Sequence, residues 1–160
     1  MKHYIILVVT TLLLETGTGL GQTKIDTNLA KAKNDILTSN EIYFKAFVYG
    51  DSALFIDRYA KDCCIMPPNT ASMCGENAAP QFFNIGYHQL GIRNGRFITK
   101  EVYGNGSNYV TEEGLFELYD SQAKLIEHGK YLVLWKLTSE GWKMYRDSFN
   151  SNRPIKKHTK

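Results

Sequence analysis

Apolar residues in the first third of the chain recur at helical spacing. Between Thr27 and Tyr49, Leu29, Ala32, Ile36, Ile42, Phe44, Ala46 and Phe47 stand against a polar remainder, which predicts one long amphipathic helix. Gly50 ends it. Asp51 is placed to cap a short second helix, Ser52 to Ala60, because a carboxylate there accepts the free amide hydrogens of the first turn. Ile65 and Met66 with Cys63 and Cys64 read as a brief strand, stopped by Pro67 and Pro68, which offer no ladder donor. A loop, Asn69 to Glu76, leads into a third helix near Ala78 to Leu90, where Pro80 is tolerated in the first turn.

Past Gly91 the period changes. Phe97 to Tyr103, Tyr109 to Val110, Gly114 to Ser121, Ala123 to Glu127, Lys130 to Thr138 and Trp142 to Phe149 are β-rich runs separated by glycine and Asn-Gly signals. Helices followed by an antiparallel meander define an α+β domain with its helices gathered on one face of a sheet.

The first residues follow neither pattern. Lys2 and His3, an apolar run from Ile5 to Leu14 and a small-residue exit ending in Gly19 and Gly21 have the make-up of a signal peptide over residues 1–21. The mature chain is then expected to begin at Gln22 and to be exported, periplasmic or secreted. A run of ten residues, eight of them apolar, is too short for a membrane span, which needs about 20. The domain is expected over residues 22–151, and residues 152–160 read as a polar, basic, disordered tail.

Composition narrows the classes. The chain has 160 residues, 43% of them hydrophobic, with three cysteines and a net charge of +3. This is one ordinary globular domain, and disordered, collagen-like and disulfide-dense folds are excluded. Without residues 1–21 and 153–160, 14 Lys and Arg face 15 Asp and Glu, so the excess positive charge belongs to the tail. That argues against a nucleic-acid partner. Cys63 and Cys64 point to opposite faces of a strand, so at most one of them meets Cys74. Which one is open, as is the alternative of three idle thiols. His88, His128 and His158 are scattered and read as surface residues, and no Cys or His pattern has metal-ligand spacing. Neither a nucleophile elbow nor a phosphate-binding glycine loop occurs, so neither a metal nor another cofactor is expected.

The element order, with Tyr49-Gly50-Asp51, Tyr59-Ala60-Lys61-Asp62-Cys63, Met66-Pro67-Pro68 and Gly75 before the third helix, resembles the nuclear transport factor 2-like superfamily, in particular its SnoaL-like and ketosteroid-isomerase-like branch. The runs from Gly129 to Lys136 and from Gly141 to Ser151 resemble small secreted bacterial members of undefined role. The resemblance implies a cone: a curved antiparallel sheet wrapped round three N-terminal helices, a pocket at the open end, and a homodimer formed through the sheet. It also implies that Tyr43 occupies the place of the isomerases' donor tyrosine. The place of their base holds Pro67, and that of their partner acid falls on Leu132 or Val133, so two of three catalytic positions are lost.

On the last strand, alternation with Phe149 as a pocket aromatic turns Tyr145 and Asp147 toward the cavity. A carboxylate between two aromatics is expected to hold its proton unusually high and to serve as acid or base with Tyr43. The competing role is structural, with Asp147 paired to an arginine or capping a loop amide. Tyr43, Phe47, Tyr59, Met66, Phe83, Tyr87, Tyr145 and Phe149 are the expected lining of a pocket for a small hydrophobic or aromatic molecule. Two other readings stand beside this one: a non-catalytic protein-interaction domain, and a cofactor-free isomerase, hydrolase or dehydratase built on Asp147 and Tyr43.

Overall fold

The computed structural model describes the backbone of residues 19–154 and the side chains of residues 27–154. The expected leader falls outside the described residues except at Gly19 to Gly21, and the expected tail is described only as far as Pro154.

The amphipathic pattern gives α1 (Gly19–Tyr49), which buries Ala32, Ile36, Tyr43, Phe44, Ala46 and Phe47 along one stripe. Gly50 takes the left-handed conformation, φ 66°, that ends a helix, and Asp51 caps α2 by accepting from the amides of Ala53 and Leu54 at 2.9 and 3.2 Å. α2 (Ser52–Ile56) is shorter than the sequence suggested. Tyr59 and Ala60, expected to close that helix, instead open β1 (Tyr59–Met66). β2 (Met73–Cys74) lies within the expected loop, α3 spans Ala78–Asn84, and a π-turn (Ile85–Gln89) continues it.

Four long strands follow: β3 (Asn94–Gly104), β4 (Tyr109–Tyr119), β5 (Leu125–Thr138) and β6 (Gly141–Ser151). Residues 109–121 and 123–138, each read as two strands, are continuous apart from a tight turn. In that turn Asp120 Oδ1 accepts from the amides of Gln122 and Lys124 at 2.9 and 3.0 Å. The sheet order is β2-β1-β6-β5-β4-β3 and the sheet is open. The α+β fold with a sheet wrapped round N-terminal helices is as expected, with one correction: the sheet is mixed, because β1 runs parallel to β6. That arrangement arises because the chain passes from β1 through β2, α3 and three further strands before returning beside it. α1 packs on β3 and β6, and α3 covers β1 and β2.

Two covalent and register features position the cavity. Cys64 faces Cys74 across the β1–β2 ladder and is bonded to it, while Cys63, on the inward phase with Ile65, is a buried free thiol. On β6, Arg146 opposes Leu134 and Met144 opposes Trp135, so Tyr145 has no partner and forms a β-bulge. Met144 and Asp147 therefore both point inward, which strict alternation forbids.

Candidate functional site

The open end of the sheet holds two connected chambers. The outer one, about 800 Å³, is walled on one side by Pro67, Pro68 and the segment Thr70 to Cys74, which the Cys64–Cys74 bond ties to β1. The inner one, about 40 Å³, has room for roughly one water or one small polar group. Five side chains, Phe82, Ile92, Phe116, Leu118 and Phe149, border both and make an apolar neck. Beyond the neck lie the polar groups Tyr43, Tyr131 and Asp147.

Asp147 is 6% exposed and accepts a 2.7 Å hydrogen bond at Oδ2 from the Tyr59 hydroxyl. Burial pushes its carboxyl up to about 6; the Tyr59 bond opposes that rise, and the charge of Glu112 adds to it. Burial also raises Tyr43 and Tyr59 well above the ordinary phenol range, and the Asp147 charge raises both further. Both hydroxyls thus stay protonated, while the carboxyl, hydrogen-bonded to Tyr59, changes charge near pH 6. This arrangement can give or take one proton, or hold one hydrogen-bonding group, at the end of an apolar channel.

Behind the inner chamber lies a second acid. Glu112 on β4 is fully buried, and its carboxylate accepts from Asn40 Nδ2 at 2.8 Å, Thr99 Oγ1 at 2.7 Å, Tyr131 Oη at 2.6 Å and Trp135 Nε1 at 3.0 Å. The bonds join α1, β3, β4 and β5, and among the described residues no cation pairs with it.

The residues singled out from sequence fall into three groups. Tyr43, Phe47, Asp147 and Phe149 line the chambers. Tyr59 stands one layer behind, as the donor to Asp147. Met66, Phe83, Tyr87 and Tyr145 do not line them. Met66 is on the opposite phase of β1 from buried Cys63 and Ile65. Phe83 is packed inside an aromatic cluster, with ring centroids 5.1 Å from Phe47 and 5.3 Å from Phe55. Tyr87 stacks on Phe83 and lies under the Arg93 guanidinium, 3.9 Å from its ring. The bulge turns Tyr145 to the outer face, where Arg146 lies 3.6 Å and Lys136 4.9 Å from its ring centroid.

Phe82, Ile92 and Tyr131 were missed as site residues, and so were three residues of β4, Glu112, Phe116 and Leu118. Their signal was present: Val110, Glu112, Gly114, Phe116 and Leu118 share one phase of β4, so a glutamate stands in an otherwise apolar inward row.

An open sheet on N-terminal helices with a buried acid at the end of an apolar cleft defines an α+β, cystatin-like class of domain. Within it, the fold is that of the nuclear transport factor 2-like proteins. An NTF2-like protein of unknown function from Shewanella oneidensis superposes with a TM-score of 0.62 at 15% identity, covering 73% of this chain and 97% of that one. An NTF2-like protein with a cystatin-like fold from Novosphingobium aromaticivorans gives 0.67 at 11% identity, over 88% and 94%. A ketosteroid isomerase-like protein from Erwinia carotovora gives 0.57 at 16% identity, over 80% and 96%. No family model matches the sequence, and no curated protein matches it. Among the described residues no helix is long and apolar enough to cross a membrane.

Proposed function

We propose that this chain is an exported binding domain whose cavity takes a small molecule with an apolar or aromatic body and one hydrogen-bonding group. The body fills the outer chamber and the neck, and the polar group meets Asp147 and Tyr43. The carrying observation is the apolar neck that ends on a buried carboxyl held near 6. The disulfide and the make-up of residues 1–21 support export. Calorimetry with 2-naphthol and naphthalene tests the reading. The hydroxyl is expected to improve affinity about tenfold, and Asp147→Leu is expected to remove that gain. Equal affinities, or a gain that survives Asp147→Leu, would overturn it.

A second reading makes the site an acid–base catalyst of the isomerase, hydrolase or dehydratase kind, favoured by the titration of Asp147 beside its phenol donor, Tyr59. The assembly proposed is a homodimer through the outer sheet face. In support, Leu132 is 47% and Leu115 36% exposed there, beside Lys100, Glu113 and Lys130. Light scattering is expected to give twice the chain mass, and Leu132→Asp to halve it.

A further inference from the structure

Among the described residues, the charged side chains that line the two chambers are acids, Asp147 in the inner and Glu127 in the outer, and no Lys or Arg joins them. Glu127 has a counter-charge. Its Oε1 lies 3.6 Å from Arg153 Nε, and it also accepts from Ser151 Oγ at 2.9 Å and from the His128 amide at 2.8 Å. Asp147 differs: Tyr59 takes its Oδ2, and among the described residues neither a hydrogen bond nor a cation reaches Oδ1. Since Glu112 stands behind the same chamber, two buried acids face one region with no positive side chain between them.

The rest of the inner wall is aromatic. Tyr43, Phe44, Phe47, Phe97 and Tyr131 border it beyond the neck, and the Phe97 ring centroid lies 5.0 Å from that of Tyr43 and 4.8 Å from those of Phe44 and Tyr131. A ring face attracts a cation, and more strongly where water is excluded. The polar atoms match that preference. Tyr131 donates to Glu112 at 2.6 Å, so what it offers the chamber is an oxygen lone pair, and Asp147 Oδ1 is a second acceptor. A primary ammonium carries three donors and no acceptor, and its head matches an inner chamber of about 40 Å³, the space of roughly one water.

We propose that the ligand of this cavity is an organic amine, whose primary ammonium head enters the inner chamber against Asp147 while its apolar body fills the neck and the outer chamber. This rests on the cavity being a ligand site, as proposed above, and adds the charge of the polar group and its direction of entry. Burying an ammonium costs solvation, but the carboxyl it meets is already enclosed by the fold, so binding desolvates only one partner of the pair. A neutral hydroxyl would meet Asp147 and leave the charge of Glu112 uncompensated. A trimethylammonium has the right charge and three methyl groups too many for the inner chamber. Charge and size select the same head.

The test is a matched series, 2-(aminomethyl)naphthalene, 2-(hydroxymethyl)naphthalene and the N,N,N-trimethyl form of the amine, titrated by calorimetry into the full chain at pH 7.5 and pH 5. At pH 7.5 the amine is expected to bind about tenfold more tightly than the alcohol, and the trimethylated form at least about tenfold more weakly than the amine. The amine is charged at both pH values, whereas the Asp147 carboxyl, held at about 6, is mostly protonated at pH 5, so the preference should shrink to about twofold there. Tyr43 from α1, Tyr59 and Cys63 from β1 and Tyr131 from β5 also face that carboxyl; burial raises each of them, so they stay neutral throughout. Glu112 from β4 is the other acid, and Asp147→Asn at pH 7.5 separates its charge from that of Asp147: the preference is expected to fall to about twofold or less. Equal binding of amine and alcohol at pH 7.5, a preference undiminished at pH 5 or in Asp147→Asn, or a trimethylated form as tight as the amine overturns the proposal and leaves the cavity reading standing. Failure of all three to bind overturns both. The pH 5 arm uses the native chain, so it decides the matter even where the variant fails to fold.

Discussion

Two carboxylates are buried in this domain, and their surroundings are opposite. Glu112 has four neutral donors from two strands and a helix, while Asp147 has one, from Tyr59, and an open chamber on its other side. A buried acid that accepts from four donors is a fastener, because moving it would strand all its donors at once. A buried acid with one partner and space beside it is free to change protonation or accept a ligand. The contrast separates structure from site better than burial does, since both residues are almost wholly enclosed.

The largest expected effect would break the first half of that contrast. Glu112→Leu leaves Asn40, Thr99, Tyr131 and Trp135 without their acceptor, and should destabilise the fold by at least about 3 kcal/mol. A calorimetric scan should show the melting temperature falling by about 10 °C or more. A shift of a degree or two would mean that Glu112 holds little together.

Asp147→Asn should do the reverse. The folded state raises the Asp147 carboxyl from 3.8 to about 6, so it binds the proton more tightly than the unfolded chain does. Stability from this group is complete below pH 3.8 and is lost as pH rises through about 6, with an upper bound of about 3 kcal/mol. Asp147→Asn should therefore be as stable as the native chain or more so at pH 7.5, and lose that advantage by pH 4. Denaturant melts at the two pH values measure it. A large loss of stability at pH 7.5 would place Asp147 with Glu112, as a fastener.

How much of this was legible beforehand differed by element. The stripe of α1 and the cap at Asp51 were readable because helical spacing and capping are local. The continuity of β4 was not, because Glu112 and Glu113 looked like the end of a strand when one of them was the inward polar residue holding it to α1. Tyr145 was misplaced for a related reason: counting alternate residues assumes a regular ladder, and a bulge is decided by the neighbouring strand. Tyr59 was taken for a wall residue, yet it opens a strand and acts one layer deeper.

Smaller effects sharpen the comparison. Tyr59→Phe removes the one donor that lowers the Asp147 carboxyl, so its midpoint should move above about 6, read by carboxyl carbon NMR. An unmoved midpoint would show that the bond does not tune the acid. Tyr131→Phe removes one donor of four from Glu112 and should cost only about 1 kcal/mol, because three remain. A much larger loss would show that the other three donors do not hold Glu112 without it.

The unpaired residue on β6 bears on how such a domain can diverge. Because Tyr145 opposes nothing, the pairs on either side, Trp135 with Met144 and Leu134 with Arg146, already succeed one another in register. Losing position 145 would straighten the strand while every other side chain kept its facing. The curvature of the cone, and with it the depth of the chamber, is thus adjustable by single-residue insertion or deletion at a place that leaves the chemistry of the floor unedited.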